Sequence, residues 1–300
     1  RRGHGQLQAT PKPLRRQRRP AARESASGMR GARYVPPRPG RSGPGQGNVN
    51  LRIGGVPYGV GAPLLQGLDS DPAATFVTAP PTELIARLRR GELDAALVSS
   101  IEAIREDGYQ IAAGLGIACK HEIRSVRAFR RKHAPIRSVG LDQSSATSVA
   151  LLRILLAHVY RADVAADLRF ETVAPTRRPD ELPHDLVLMI GDHGLAADPG
   201  AREIWDLGAE WRRFSGLPFV FAVWVIRPQA DVQALLPILH AARRRGRALG
   251  PVDGTHGAAH YDLDDEDLRG LRRFWAECRA LGLASASDPH FAFSTIPATR

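Results

Sequence analysis

Three apolar runs in this sequence end in residues that can hold an anion or move a proton. Asp142–Gln–Ser–Ser–Ala–Thr–Ser148 follows the run Ile136–Leu141 and opens a segment in which Val149, Leu152, Leu155, Leu156 and Val159 recur at helical spacing. Ser99–Ser100 ends Asp94–Ala–Ala–Leu–Val–Ser99, and Gly191–Asp192–His193 ends Asp185–Leu–Val–Leu–Met–Ile190. Each reads as a buried strand passing through a polar turn toward a helix. A helix start leaves backbone N–H groups without intrahelical acceptors and carries about half a positive charge, so these turns could hold a carboxylate or phosphate. The same residues also cap ordinary helices, and spacing alone leaves that reading open. His193 is the best-placed single acid–base candidate, because imidazole changes charge near neutrality; a surface histidine in a turn would look the same. Ser99 is the second candidate.

Other chemistries lack their residues. There is no HExxH, no CxxC pair, no P-loop and no G-x-S-x-G, and Gly54, Gly55, Gly59 and Gly61 do not form G-x-G-x-x-G. No metal or nucleotide cofactor is expected. His256 and His260 lie close together, but no carboxylate or cysteine is spaced to join them in a metal site. Cys119 and Cys278 fit neither a metal-ligand pattern nor a disulfide framework, which favours the cytoplasm while leaving one bridge open. Trp205, Trp211 and Trp224 read as core.

The elements that must position these turns alternate between strand and helix. Strands are expected at 49–55, 75–79, 94–99, 109–113, 123–129, 136–141, 168–173, 185–190 and 217–226. Helices are expected after Pro80, from Asp142 to about Tyr160, around Trp205–Trp211, at Asp231–Leu249 and at Asp264–Leu281. Such alternation implies an α/β protein with mostly parallel sheets, in which ligands lie beyond the carboxyl ends of strands. The net charge of +11 would suit a nucleic-acid binder, but it is local: residues 1–47 hold 12 of the 42 Lys and Arg and one of the 31 Asp and Glu, so the rest is formally neutral. That Pro-, Gly- and Arg-rich stretch cannot bury enough apolar surface to fold and is expected to be a disordered basic leader. Without interleaved aromatics, no specific nucleic-acid partner is expected. No run is long enough to span a bilayer.

The turns share an order with a known family. Arg52–Ile–Gly, Pro57–Tyr58, Pro63–Leu64, Pro81–Thr–Glu–Leu84, Gly91–Glu–Leu–Asp–Ala–Ala–Leu–Val–Ser–Ser–Ile–Glu102, Gly114–Leu–Gly–Ile117, Ser145–Ala–Thr–Ser–Val–Ala–Leu151, Ile190–Gly–Asp192 and Asp206–Leu–Gly–Ala–Glu–Trp211 through Ala222 together resemble the MqnA family of menaquinone biosynthesis. The likeness runs from about Val49 to Leu283.

The resemblance implies a two-lobed fold like the type II periplasmic binding proteins, with the ligand in an interlobe cleft. Lobe 1 is expected at 48–131, completed by 225–300, and lobe 2 at 132–224. It implies a chorismate dehydratase, a hydro-lyase forming 3-[(1-carboxyvinyl)oxy]benzoate on the futalosine route, with a small carboxylate as partner and no cofactor. Tyr58, Val60, Ser99, Ser100, Ser145, Thr147, Ser148, Gly191 and Asp192 are the expected substrate contacts, with His193 and Ser99 as catalytic candidates. One position departs: the family usually carries Tyr–Leu–Asn where this chain has Tyr58–Gly59–Val60, and valine can neither donate nor accept a hydrogen bond. Two further readings follow, a non-catalytic binder of an aromatic or enolpyruvyl carboxylate, and an enzyme like 1,4-dihydroxy-6-naphthoate synthase.

Overall fold

The computed structural model describes residues 50–248 and 259–293. Residues 1–47 and His256, on which the leader and half of the histidine pair fall, lie outside the described residues. In chain order the elements begin β1 (Leu51–Gly55), β2 (Ala74–Thr78), α1 (Pro81–Arg89), β3 (Ala95–Ser99), β4 (Gln110–Cys119), β5 (Val126–Arg130), β6 (Ile136–Leu141), α2 (Ala146–His158) and β7 (Val164–Thr172). They continue β8 (Leu186–Ile190), α3 (Gly191–Ala196), β9 (Glu203–Asp206), α4 (Leu207–Ser215), β10 (Phe219–Ile226), α5 (Val232–Ala248), β11 (Ala259–Asp262), α6 (Asp265–Ala280) and β12 (His290–Ala292).

Two sheets result. The first runs β11-β4-β10-β3-β1-β2, with β12 also on β4, and the second runs β7-β6-β8-β5-β9. Within the first, β1 pairs parallel with β2 and β3, whereas β10 runs antiparallel between β3 and β4. Within the second, β6 pairs parallel with β7 and β8, and β5 antiparallel with β8 and β9. The sheets are therefore mixed rather than mostly parallel. The antiparallel members cluster where the chain changes sheet, since a strand that crosses over enters its new sheet against the local direction.

Pairing also fixes where the chain crosses. β5 belongs wholly to the second sheet, so the first change falls between Cys119 and Val126, upstream of the 131/132 boundary expected from the charge run. β10 belongs wholly to the first sheet, so the return runs through α4, before the expected 224/225 boundary. The strands β9, β11 and β12, of three or four residues each, carry too little pattern to be read in advance. β4 is ten residues long where five were expected, because Gly114 and Gly116 interrupt its apolar run.

Local chemistry starts the helices. Pro81 stands at the first turn of α1, where a missing N–H costs nothing. Asp206 caps α4 by accepting from Gly208 N and Ala209 N, and Asp264 and Asp267 form a reciprocal capping box on α6. Trp205, Trp211 and Trp224 are buried, as expected of core residues. Asp94 clamps three strands of the first sheet, accepting from Arg52 and Arg227. Burial pushes its carboxyl up, but the hydrogen bonds from Arg52 and Arg227 outweigh that and hold it below the usual carboxylate range. Both cysteines are buried and free. No helix among the described residues is long and apolar enough to cross a membrane.

Candidate active site

A cavity of about 270 Å³ lies between the two sheets, near the small end for a ligand site. From the first sheet it is lined by Val56, Tyr58, Val60, Leu97, Ser99 and Phe221; from the second by Ser125, Asp142, Ser144, Ser145, Ser148, Ile190, Gly191, Asp192 and His193. All three polar turns reach it. Most of the remaining wall is aliphatic, so the polar groups stand out as a short strip on an apolar surface.

The start of α2 is the densest part of that strip. Ser145 has extended backbone, and its hydroxyl accepts from Ser148 N at 3.3 Å and lies 3.0 Å from Ser148 Oγ. From the facing sheet, Ser99 Oγ approaches Ser145 Oγ to 3.4 Å, a contact loose enough for a ligand oxygen to replace. Beneath them Asp142 is buried and fully engaged. One oxygen accepts from Ser144 N and Ser144 Oγ at 2.9 and 2.7 Å, and the other from Ile190 N at 3.2 Å. This carboxylate therefore holds the α2 turn against the β8–α3 turn. Tyr58 stands half-buried on the opposite wall, its phenol pushed up first by burial and then by the Asp142 charge. It stays a neutral donor throughout the physiological range.

The β8–α3 turn is shaped by two glycines. Gly191 has φ of +63°, a conformation costly for any side-chain-bearing residue. A Cβ on Gly194 would come within 2.6 Å of Met189 O and 2.7 Å of Ser125 O, so only glycine lets α3 lie this close to β8 and β5. The exposed side chains of Asp192 and His193 lie along the cavity wall as a consequence.

Two expected contacts are not at the cavity. Ser100 and Thr147 are fully buried beside it. Ser100 Oγ donates to Val220 O at 2.8 Å, so the Thr147 hydroxyl must donate to Ser100 Oγ, at 3.2 Å, while its oxygen accepts from Ile101 N at 3.1 Å. Trp275 Nε1 donates to Ser100 O at 3.0 Å, which brings α6 into the same junction. With both O–H donors spent, these two hydroxyls tie α2 to the first sheet and do not line the cavity. Conversely, Ser125, Asp142, Ser144 and Pro175 line the cavity without having been expected there. Asp142 opened the Ser/Thr turn and could have been read from that; Ser125 and Pro175 carry no local signal.

No Lys or Arg among the described residues lines the cavity. His260, in β11, is hydrogen-bonded through Nε2 to the buried Asp267 at 2.9 Å. Among the described residues no three His, Cys, Asp or Glu side chains gather to hold a metal ion.

Two α/β sheets meeting strand-end to strand-end around one cavity define the two-lobed binding-protein fold, and solved structures agree. The chain superposes on protein AF1704 from Archaeoglobus fulgidus with a TM-score of 0.54 at 14% identity, covering 79% of this chain and 99% of that one. It superposes on the periplasmic aliphatic sulphonate binding protein SsuA from Escherichia coli with a TM-score of 0.52 at 14% identity, covering 84% and 96%. At such identities the likeness is one of fold. Sequence is more specific: residues 51–251 match a family model described as menaquinone biosynthesis. The chain is also 31% identical over 246 residues to the chorismate dehydratase of Thermus thermophilus, spanning 69% of this chain and 86% of that enzyme. This chain belongs to the menaquinone-biosynthesis family.

Proposed function

We propose that this protein is a chorismate dehydratase-like hydro-lyase, removing water from chorismate to give 3-[(1-carboxyvinyl)oxy]benzoate. The observation that carries the reading is the extended identity to the Thermus thermophilus enzyme, and the cavity supports it. In this reading the N-terminal N–H groups of α2 and the hydroxyls of Ser99, Ser145 and Ser148 hold one carboxylate, while Tyr58 donates a hydrogen bond from the facing wall. The apolar wall around Val60, Leu97 and Phe221 packs on the ring and keeps water from it. Formation of an aromatic ring drives the elimination, so orientation in a dry site supplies much of what the reaction needs. Gly191 and Asp192 close the far side. The two unpaired cysteines suit a cytoplasmic location.

The test is direct. Purified protein given chorismate should release an aromatic product of the expected mass, and no consumption of chorismate at micromolar enzyme would sink the reading. Val60 favours a second reading, a carboxylate binder without turnover, because an apolar side chain stands where the family usually carries an amide. Loss of one polar group from a reacting site can cost about 2.7–4 kcal/mol of transition-state stabilisation. Val60→Asn separates the two. A dehydratase should gain up to about tenfold in kcat or stay level, whereas a binder would show turnover only in the substituted protein.

A further inference from the structure

The cavity poses an electrostatic problem for a dicarboxylate. Its lining includes no Lys or Arg among the described residues, and it already contains two carboxylates, buried Asp142 and exposed Asp192. A third and fourth negative charge brought into a cleft of low polarity would be repelled by these groups, by buried Asp142 far more than in water. Backbone N–H groups at α2 can offset one carboxylate. The other needs a counter-charge, and among the described lining residues His193 is the one side chain able to carry it.

Its placement suits that task. His193 is exposed to the cavity and makes no hydrogen bond or ion pair with any described residue, so its ring nitrogens are free for a ligand. The close approach of Gly194 to Met189 O and Ser125 O holds the backbone that carries it. The charged and titratable groups around it are few. Asp192 adjoins it, Asp142 and Tyr58 line the same cavity, and Arg127 on β5 points its guanidinium at Leu195 O of α3, at 3.5 Å. β8, the other strand under α3, has no charged residue. We propose that protonated His193 is the counter-ion for the second carboxylate of the ligand and so makes the cavity select dianions over monoanions. This deepens the dehydratase reading and rests on its site.

A counter-ion and a general base differ in sign. A base must be neutral to take a proton and gains effect as pH rises through the range where histidine titrates; a counter-ion must be charged and loses effect over the same range. The experiment measures the Kd of 3-[(1-carboxyvinyl)oxy]benzoate and the kcat and KM for chorismate between about pH 5.5 and 8.5, in the full chain and in His193→Gln and His193→Lys. The expected result is dicarboxylate binding that weakens about tenfold toward high pH in the unsubstituted protein. In H193Q it should be weak and flat, and in H193K tight and flat, with changes falling on KM rather than kcat. Benzoate, a monocarboxylate, should show little of this. Binding that strengthens with pH, a loss confined to kcat in H193Q, or H193Q binding as tightly as the parent at low pH would each overturn the proposal. If chorismate is bound but not turned over, the dehydratase reading fails while the pH dependence of binding still decides the role of His193. If the dicarboxylate does not bind at any pH, both fall.

Discussion

Two hydroxyl pairs, one residue apart at the end of β3 and two apart at the start of α2, do opposite work. Ser99 and Ser145 face the cavity at 3.4 Å, whereas Ser100 and Thr147 meet at 3.2 Å in the closed interior. Both join α2 to the end of β3, and both consist of alcohols that sequence alone treats as equivalent. In the outer pair Ser145 accepts from both Ser148 N and Ser148 Oγ and donates to Ser99, which leaves the Ser99 O–H to spare. The inner pair has no donor to spare, because Ser100 donates to Val220 O and Thr147 to Ser100 Oγ, while Thr147 also accepts from Ile101 N. The pair proposed for the ligand and the pair that fastens the lobes are thus one or two residues apart along the chain, and a spare donor, more than residue type, tells them apart.

Substitutions can break that contrast in a graded way. The largest effect on stability should come from Thr147→Val, which keeps the shape but strands the buried N–H of Ile101. A loss of about 1–3 kcal/mol is expected, measured by denaturant unfolding, with ligand affinity at saturating folded protein little changed. Ser145→Ala sits between the two classes. It removes the cap on Ser148 N, at about 1 kcal/mol, and a ligand contact, so calorimetry should show about a tenfold weaker Kd, equal to ~1.4 kcal/mol. The smallest effect on stability should come from Ser99→Ala, within about 0.5 kcal/mol of the parent, while Kd still weakens a few-fold. If Thr147→Val leaves stability unchanged, or Ser99→Ala lowers it more than Ser145→Ala, the division between the pairs is wrong.

The strands and helices are legible where local physics sets them, and their bounds less so. Ile136–Leu141 has the bounds read from its apolar run, whereas α2 begins at Ala146 behind its Ser145 cap rather than at Asp142, and α4 begins at Leu207 with Trp205 in β9. Ser100 and Thr147, expected as substrate contacts, do not line the cavity, and sequence does not show this because whether a hydroxyl is spare depends on partners such as Val220 O, 120 residues from Ser100. Sheet membership was misjudged near Arg130 for the same reason: a strand's partners are chosen in three dimensions, and β5 looks identical in either sheet. Asp142 could have been recognised as the organiser of the turn. That it also reaches Ile190 N, 48 residues away, could not.

The Ser100–Thr147 fastening also bears on how fast and how tightly the cleft can fill. Two-lobed binding proteins commonly close around a ligand by a hinge motion, and the free energy of closure is subtracted from affinity. Here opening would tear several satisfied polar contacts out of a dry interior, so the cleft is held ready-made and entry falls to small movements of its rim. The radius of gyration from small-angle scattering should therefore be the same with and without ligand, and association should follow a single exponential whose rate rises linearly with ligand concentration.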